Sequence, residues 1–206
     1  MNLDKIPICW FDFAVVIVLL LGVNRGRKNG MSVELMVTLQ WLAIIFAGAF
    51  LYKPLGDELC ISSPVSHLFA YIAMYIAVAI VVKIVFGLLK KAMGGKLVGS
   101  NVFGRAEYYL GMISGAVRFA CILVAALAML NAPYYSPLEI AKARAYQVDL
   151  YGSAFFPGFG AAQQQVFKDS LLGSAFKHYA GFMLITTTKS ENRDFEKRNV
   201  DKEGGF

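Results

Sequence analysis

Arg25-Gly26-Arg27-Lys28-Asn29-Gly30-Met31-Ser32-Val33-Glu34 is a short, basic, glycine-punctuated turn set between two hydrophobic runs. One run, Ile8 to Val23, is broken only by Asp12 and ends just before the turn; the other, Val33 to Leu51, begins at its close. Two such runs joined so tightly read as a helical hairpin in a lipid bilayer with the turn at the surface, because a helix alone satisfies its own backbone in hydrocarbon.

The composition points the same way. Of 206 residues, 57% are hydrophobic and 17% charged, against about 45–50% and about 25% in soluble domains. The net charge is +6 and the pI is near 9.2. The basic residues stand beside apolar runs, where they set topology and meet anionic headgroups. No arginine-rich arm or basic–aromatic alternation supports a nucleic-acid partner. Cys9, Cys60 and Cys121 form no CxxC, and His67 and His178 are the only histidines. No metal, redox or other cofactor is therefore expected.

Outward from the turn, the reading is a four-span, all-α integral membrane domain over residues 1–131. The first span runs from Ile6 to Val23, about 27 Å of helix. Its positive charge follows the apolar core, so it reads as a retained span rather than a cleaved signal peptide. Val33 to Leu51 is the second span, and Lys53 to Pro64 a polar loop. Ser66 to Phe86 is the third span, Leu88 to Gly104 a basic loop, and Tyr108 to Leu130 the fourth span. Residues 132–185 form an amphipathic helical region. Ser136-Pro137-Leu138-Glu139 starts a helix that reaches about Val148, Phe155 to Gly160 breaks it, and a second helix covers Ala161 to Leu184. Its apolar pairs recur every four or five residues, so it should lie on the membrane or on a partner. Residues 186–206 read as a disordered tail.

The two basic loops agree on one orientation in a bacterial inner membrane: loops cytoplasmic, both termini and the 132–185 region extracytoplasmic. Cys9 and Cys60 would share the oxidising side; they read as unpaired, with a disulfide as the alternative.

Trp10-Phe11-Asp12, the apolar run after it, and Arg25-Gly26-x3-Gly30-x3-Glu34 resemble the colicin V production protein family (CvpA). Gly111-Met112-Ile113-Ser114-Gly115-Ala116-Val117-Arg118 resembles the family's second motif. The family usually sets an acidic–arginine pair just ahead of the first glycine, where Glu107 and Tyr108 stand here. The resemblance implies an inner-membrane protein associated with bacteriocin production or export and with envelope and biofilm phenotypes, and no known reaction.

Within this frame a few residues stand out. Gly26 and Gly30 close the turn. Arg25 and Glu34 sit where they can clasp the hairpin, for about 0–1 kcal/mol if exposed. Arg118 lies about 13 Å into the fourth span from Tyr109, where an arginine costs roughly 2.5–3.5 kcal/mol. Its expected interior partner is Gln40, with Glu34 as a further candidate, in a polar cluster; otherwise it snorkels. Asp12 reads as a capping carboxylate, with an ion site as the alternative, and Lys83 as a snorkelling lysine. Gly111 and Gly115 permit close helix packing.

Two functions fit. One is a non-enzymatic membrane component acting in export or envelope maintenance through unidentified membrane or export proteins. The other is a small oligomeric channel or transporter lined by Arg118, Gln40 and Asp12. An enzyme has no nucleophile–base or metal constellation behind it.

Overall fold

A computed structural model describes residues 9–63, 65–92, 104–152 and 158–189. Helix α1 spans Trp10–Asn29, α2 Met31–Ser62, α3 His67–Ala92 and α4 Glu107–Asn131. Helices α5 (Pro137–Tyr151), α6 (Phe159–Gln164) and α7 (Leu171–Ala180) follow, with two-residue strands β1 (Pro133–Tyr134) and β2 (Thr188–Lys189) pairing in parallel.

The fold is the expected all-α membrane type, but its span count differs. Among the described residues, α2, α3 and α4 are long and apolar enough to cross a bilayer. Helix α1 falls short of that. Its unbroken apolar run, residues 13–23, covers about 16 Å of a hydrocarbon core about 30 Å thick, because Asp12 stands at one end and Arg25, Arg27 and Lys28 at the other. Ile6 to Ile8, the start of the expected first span, lie outside the described residues.

The bundle buries polar groups among its apolar core residues and is apolar outside. Ser32, Glu34, Thr38, Ser114 and Asn131 are buried, while Phe13, Ile17, Leu20, Phe46, Phe50, Ile80, Val81, Ile84 and Leu88 are exposed. Polar groups kept inside, behind an apolar outer face, are what a lipid solvent selects. Helices α2 and α3 form an antiparallel pair, and α4 packs on both α1 and α2. The expected α1–α2 hairpin therefore closes at the turn, but α1 makes its extensive contact with α4. The glycines explain why. Gly22 and Gly26 of α1 lie against the backbone of Gly115 and Gly111 of α4, and even a methyl group there would overlap a carbonyl. Backbones approach this closely only where neither helix presents a side chain.

Three other segments depart from expectation. Lys53 to Ser62 is helix rather than loop, because α2 continues through Pro54. This extension seats the α3 tyrosines: Gly56 lies under the Tyr71 ring, and Tyr71 donates to Asp57 Oδ1 at 2.6 Å. The helix expected over 161–184 breaks at Ser170 after a π-helical turn over Gln165–Asp169, since the Ser170 hydroxyl caps α7 by accepting from the Gly173 amide. Residues 186–189 are placed rather than loose: Thr186 N donates to Tyr52 Oη at 3.1 Å and Thr188 N to Ala132 O at 3.0 Å. The rest of the expected tail, 190–206, lies outside the described residues, as does 93–103 of the basic loop.

The C-terminal region turns back onto the bundle. Val166, Phe167, Leu184 and Ile185 share one buried cluster with Tyr52, Tyr71, Tyr75, Leu127, Ala128 and Ala132. Asn131 Nδ2 donates to Ile185 O at 2.9 Å, and Gln163 Nε2 to Leu130 O and Pro133 O at 3.0 and 2.9 Å. The surface that this amphipathic segment covers is thus the end of its own bundle.

Candidate functional site

The turn places the site. Helix α1 ends and α2 begins at Gly30, whose φ of +75° only glycine adopts freely. Glu107, at the start of α4, accepts from Ser32 N through Oε1 at 2.6 Å. It supplies a carboxylate to the open amides at the N-terminus of α2, where the helix dipole favours negative charge. One turn further on, Glu34 faces α4. It is 1% exposed and is met by Arg118 Nη1 at 3.1 Å from Oε2, the Arg118 side chain being 21% exposed. The same nitrogen reaches Glu34 Oε1 at 3.3 Å, and Asn29 Nδ2 donates to that oxygen at 2.6 Å.

Helix geometry explains how a residue so deep reaches so far. Side chains tilt toward their helix N-terminus, and α4 starts at the end where the turn lies. Arg118 therefore reaches back along α4 toward Glu34. Between the two, Thr38 and Ser114 share a hydroxyl–hydroxyl bond of 2.7 Å, and Thr38 Oγ1 also donates to Ser114 O at 3.1 Å. Helices α2 and α4 thus run parallel, joined by one ion pair and one hydroxyl pair.

The structure brings together Glu34, Arg118, Gly26, Gly30, Gly111 and Gly115. It does not pair Arg25 with Glu34. Arg25 is exposed on α1, whereas Glu34 is turned inward to Arg118. Gln40 stands apart from the ion pair but shares a cleft with Arg118. This cleft, about 460 Å³, lies between α2, α3 and α4 and is lined by Gln40, Trp41, Tyr75, Ile80, Lys83, Arg118 and Met129 among others. Asn29, Thr38, Ser114 and Glu107 were not anticipated. The spacings Glu34–Thr38 and Ser114–Arg118, each four apart on one helix face, are the available signals for two of them.

Asp12 lies at the other end of α1. Its Oδ2 accepts from Cys9 N at 2.9 Å. Its Oδ1 accepts from the Ser170 hydroxyl at 2.7 Å and from Leu172 N at 3.0 Å. Trp10 Nε1 adds a bond to Gln165 Oε1 at 2.9 Å. Asp12 therefore tethers the C-terminal region to α1 through the open amides of α7. Asp12→Ala is expected to cost about 0.5–2 kcal/mol, the range of a lost helix cap, and to speed proteolysis after Ser170 in the detergent-solubilised protein. An unchanged cleavage rate would remove the tether. Cys9, Cys60 and Cys121 are all free thiols. Among the described residues, no group of His, Cys, Asp and Glu could hold a metal ion.

Residues 11–161 match the family model of the colicin V production protein. The chain belongs to that family. The match contains the turn, the ion pair and all four glycines of the helix crossing. No curated protein and no solved structure matches the chain.

Proposed function

We propose that this member of the colicin V production family is a non-enzymatic, multi-pass component of the bacterial inner membrane that supports bacteriocin production and export, and envelope or biofilm maintenance, through membrane protein partners. The family supports the role in production. The observation that carries the mode of action is the closed crossing of α1, α2 and α4. Glu34 and Arg118 neutralise one another, the glycines bring the backbones into contact, and the centre of the bundle is a clasp. A clasp holds a surface in shape for a partner, here the long apolar face of α3 with Ile80, Val81, Ile84 and Leu88 outward. That face also suits a second copy of the chain.

The same end of the bundle collects Arg25, Arg27, Lys28, Lys90 and Lys91, which supports a cytoplasmic placement of that end. Helix α1 reaches both ends of the bundle, with Gly30 beside Glu107 and Asp12 beside Ser170. This supports its crossing as part of the bundle, though it is too polar at its ends to span alone, and both chain ends being extracytoplasmic.

A second reading, a small oligomeric channel or transporter, is favoured by the cleft holding Gln40, Lys83 and Arg118. Purification in mild detergent, with subunit counting and identification of co-purifying proteins, separates the two when run beside liposome flux. A reproducible membrane-protein partner without flux is the expected result. Solute movement that depends on the protein and is lost in Arg118→Leu would overturn it in favour of the channel.

A further inference from the structure

We propose that the cleft between α2, α3 and α4 binds one anionic phospholipid drawn from the leaflet at the basic end of the bundle. Its size, about 460 Å³, falls in the range of ligand pockets, roughly 300–1,000 Å³. It opens sideways rather than along the bundle axis: Ile76 and Ile80 on its α3 wall are 41% and 53% exposed. In a bilayer that opening faces acyl chains.

The polar groups of the cleft are concentrated and incompletely used. The Arg118 Nε and the Tyr75 hydroxyl are buried without hydrogen-bond partners among the described residues, and a buried donor left unmade is costly. Glu34 cancels the charge of Arg118. Among the described residues no carboxylate pairs with Lys83, so the cleft keeps one positive charge. A phosphodiester brings one negative charge and free oxygens that accept from the Lys83 ammonium and the Gln40 amide.

The apolar part fits the same ligand. From Arg118 to Met129 the α4 wall runs about 16 Å, past Ala125 and alongside Ile44 and Ile76, a track for one acyl chain. Lys83 lies about 10 Å from Lys90, which ends α3 at the basic surface, and a lysine stem covers much of that distance. The headgroup end of the cleft is thus within reach of the nearer leaflet. This site stands whether the protein works through partners or conducts a solute.

The test is native mass spectrometry of the full chain released from mild detergent, with phosphatidylglycerol and phosphatidylcholine of matched acyl chains. One phosphatidylglycerol per chain should be retained in preference to phosphatidylcholine. Lys83→Gln should lower retention about fivefold, the effect of one basic residue near an anionic headgroup. Ala79→Phe, which fills the cleft without altering its charge, should abolish it; should that variant misfold, Lys83→Gln decides alone, because Lys83 is exposed and its loss leaves the packing intact. Equal retention of both lipids, or retention unchanged in Lys83→Gln, would overturn the assignment. So would displacement of the lipid by inorganic phosphate at equal concentration, or a dimer that Ala79→Phe dissociates while no lipid is bound.

Discussion

Arg118→Leu is expected to destabilise the bundle by about 3–5 kcal/mol, the cost of removing one partner from a buried ion pair. Glu34→Ala should lose a similar amount. The carboxylate of Glu34 is almost wholly inaccessible, so without the guanidinium its charge is held only by Asn29 in a medium that cannot hydrate it. Removing Glu34 leaves the converse problem, an arginine midway along a membrane helix. The combined variant Glu34→Gln with Arg118→Met should recover most of the loss, since neutral, packed replacements of a buried pair are often tolerated or stabilising. Unfolding in mild detergent, followed by helicity, measures all three. Single variants costing under about 1 kcal/mol would mean that the pair behaves as an exposed one. For the biological role, bacteriocin production should fall with either single substitution; unchanged production in Arg118→Leu would confine the pair to structure.

The second large effect is expected at the glycine crossing. At Gly26 an added Cβ would overlap Gly111 O and lie 2.9 Å from Gly115 Cα; at Gly111 it would lie 2.6 Å from Gly26 O and 3.0 Å from Gly30 Cα. All of these are backbone atoms, and none can swing aside as a side chain would. Gly26→Ala should therefore cost at least the 1–3 kcal/mol typical of overpacking, and Gly26→Leu should detach α1 from α4. Gly87 in α3 is the control. Nothing lies within 4 Å of its added Cβ, so Gly87→Ala should be neutral or stabilising by up to about 1 kcal/mol. Measured melting temperatures in detergent should fall for the first pair and not for the control. Equal tolerance at Gly26 and Gly87 would remove the close crossing.

Much of this arrangement is legible in the sequence, and what is not has identifiable physical causes. Composition and the long apolar runs are properties of the solvent, so membrane helices can be read directly from Val33 to Leu51, Ser66 to Phe86 and Tyr108 to Leu130. The depth of Arg118 follows from counting along a regular helix, and with it the need for an interior partner. The partner is harder, because it depends on which helix lies next to which. Proximity in sequence suggests Arg25 for Glu34, yet α4 packs beside α2 in parallel and brings Arg118 there instead. The same packing gives α1 to α4 rather than to α2, although the small residues that permit it, Gly22, Gly26, Gly111 and Gly115, are all visible as spacings of four. Pro54 and the polar residues around it read as a loop over Lys53 to Pro64; the α3 tyrosines seated on the extension of α2 override that local signal. Asp12 can be read as a cap, and it does close the capping box of α1 through Cys9 N; its second role is at α7, which begins 159 residues later, and no local pattern connects the two.

The central claim is that α2 and α4 stand side by side and parallel inside the membrane, clasped by Glu34–Arg118. Thr38 and Ser114 test it directly, their hydroxyls being 2.7 Å apart, close enough for a disulfide between substituted cysteines. The measurement is oxidation of the Thr38→Cys, Ser114→Cys double variant, with the native cysteines replaced by serine, in carbonate-washed vesicles. Near-complete loss of maleimide labelling at both positions within a single chain is the predicted result. Free thiols after oxidation, bonding between two copies, or protein lost to the supernatant would contradict it.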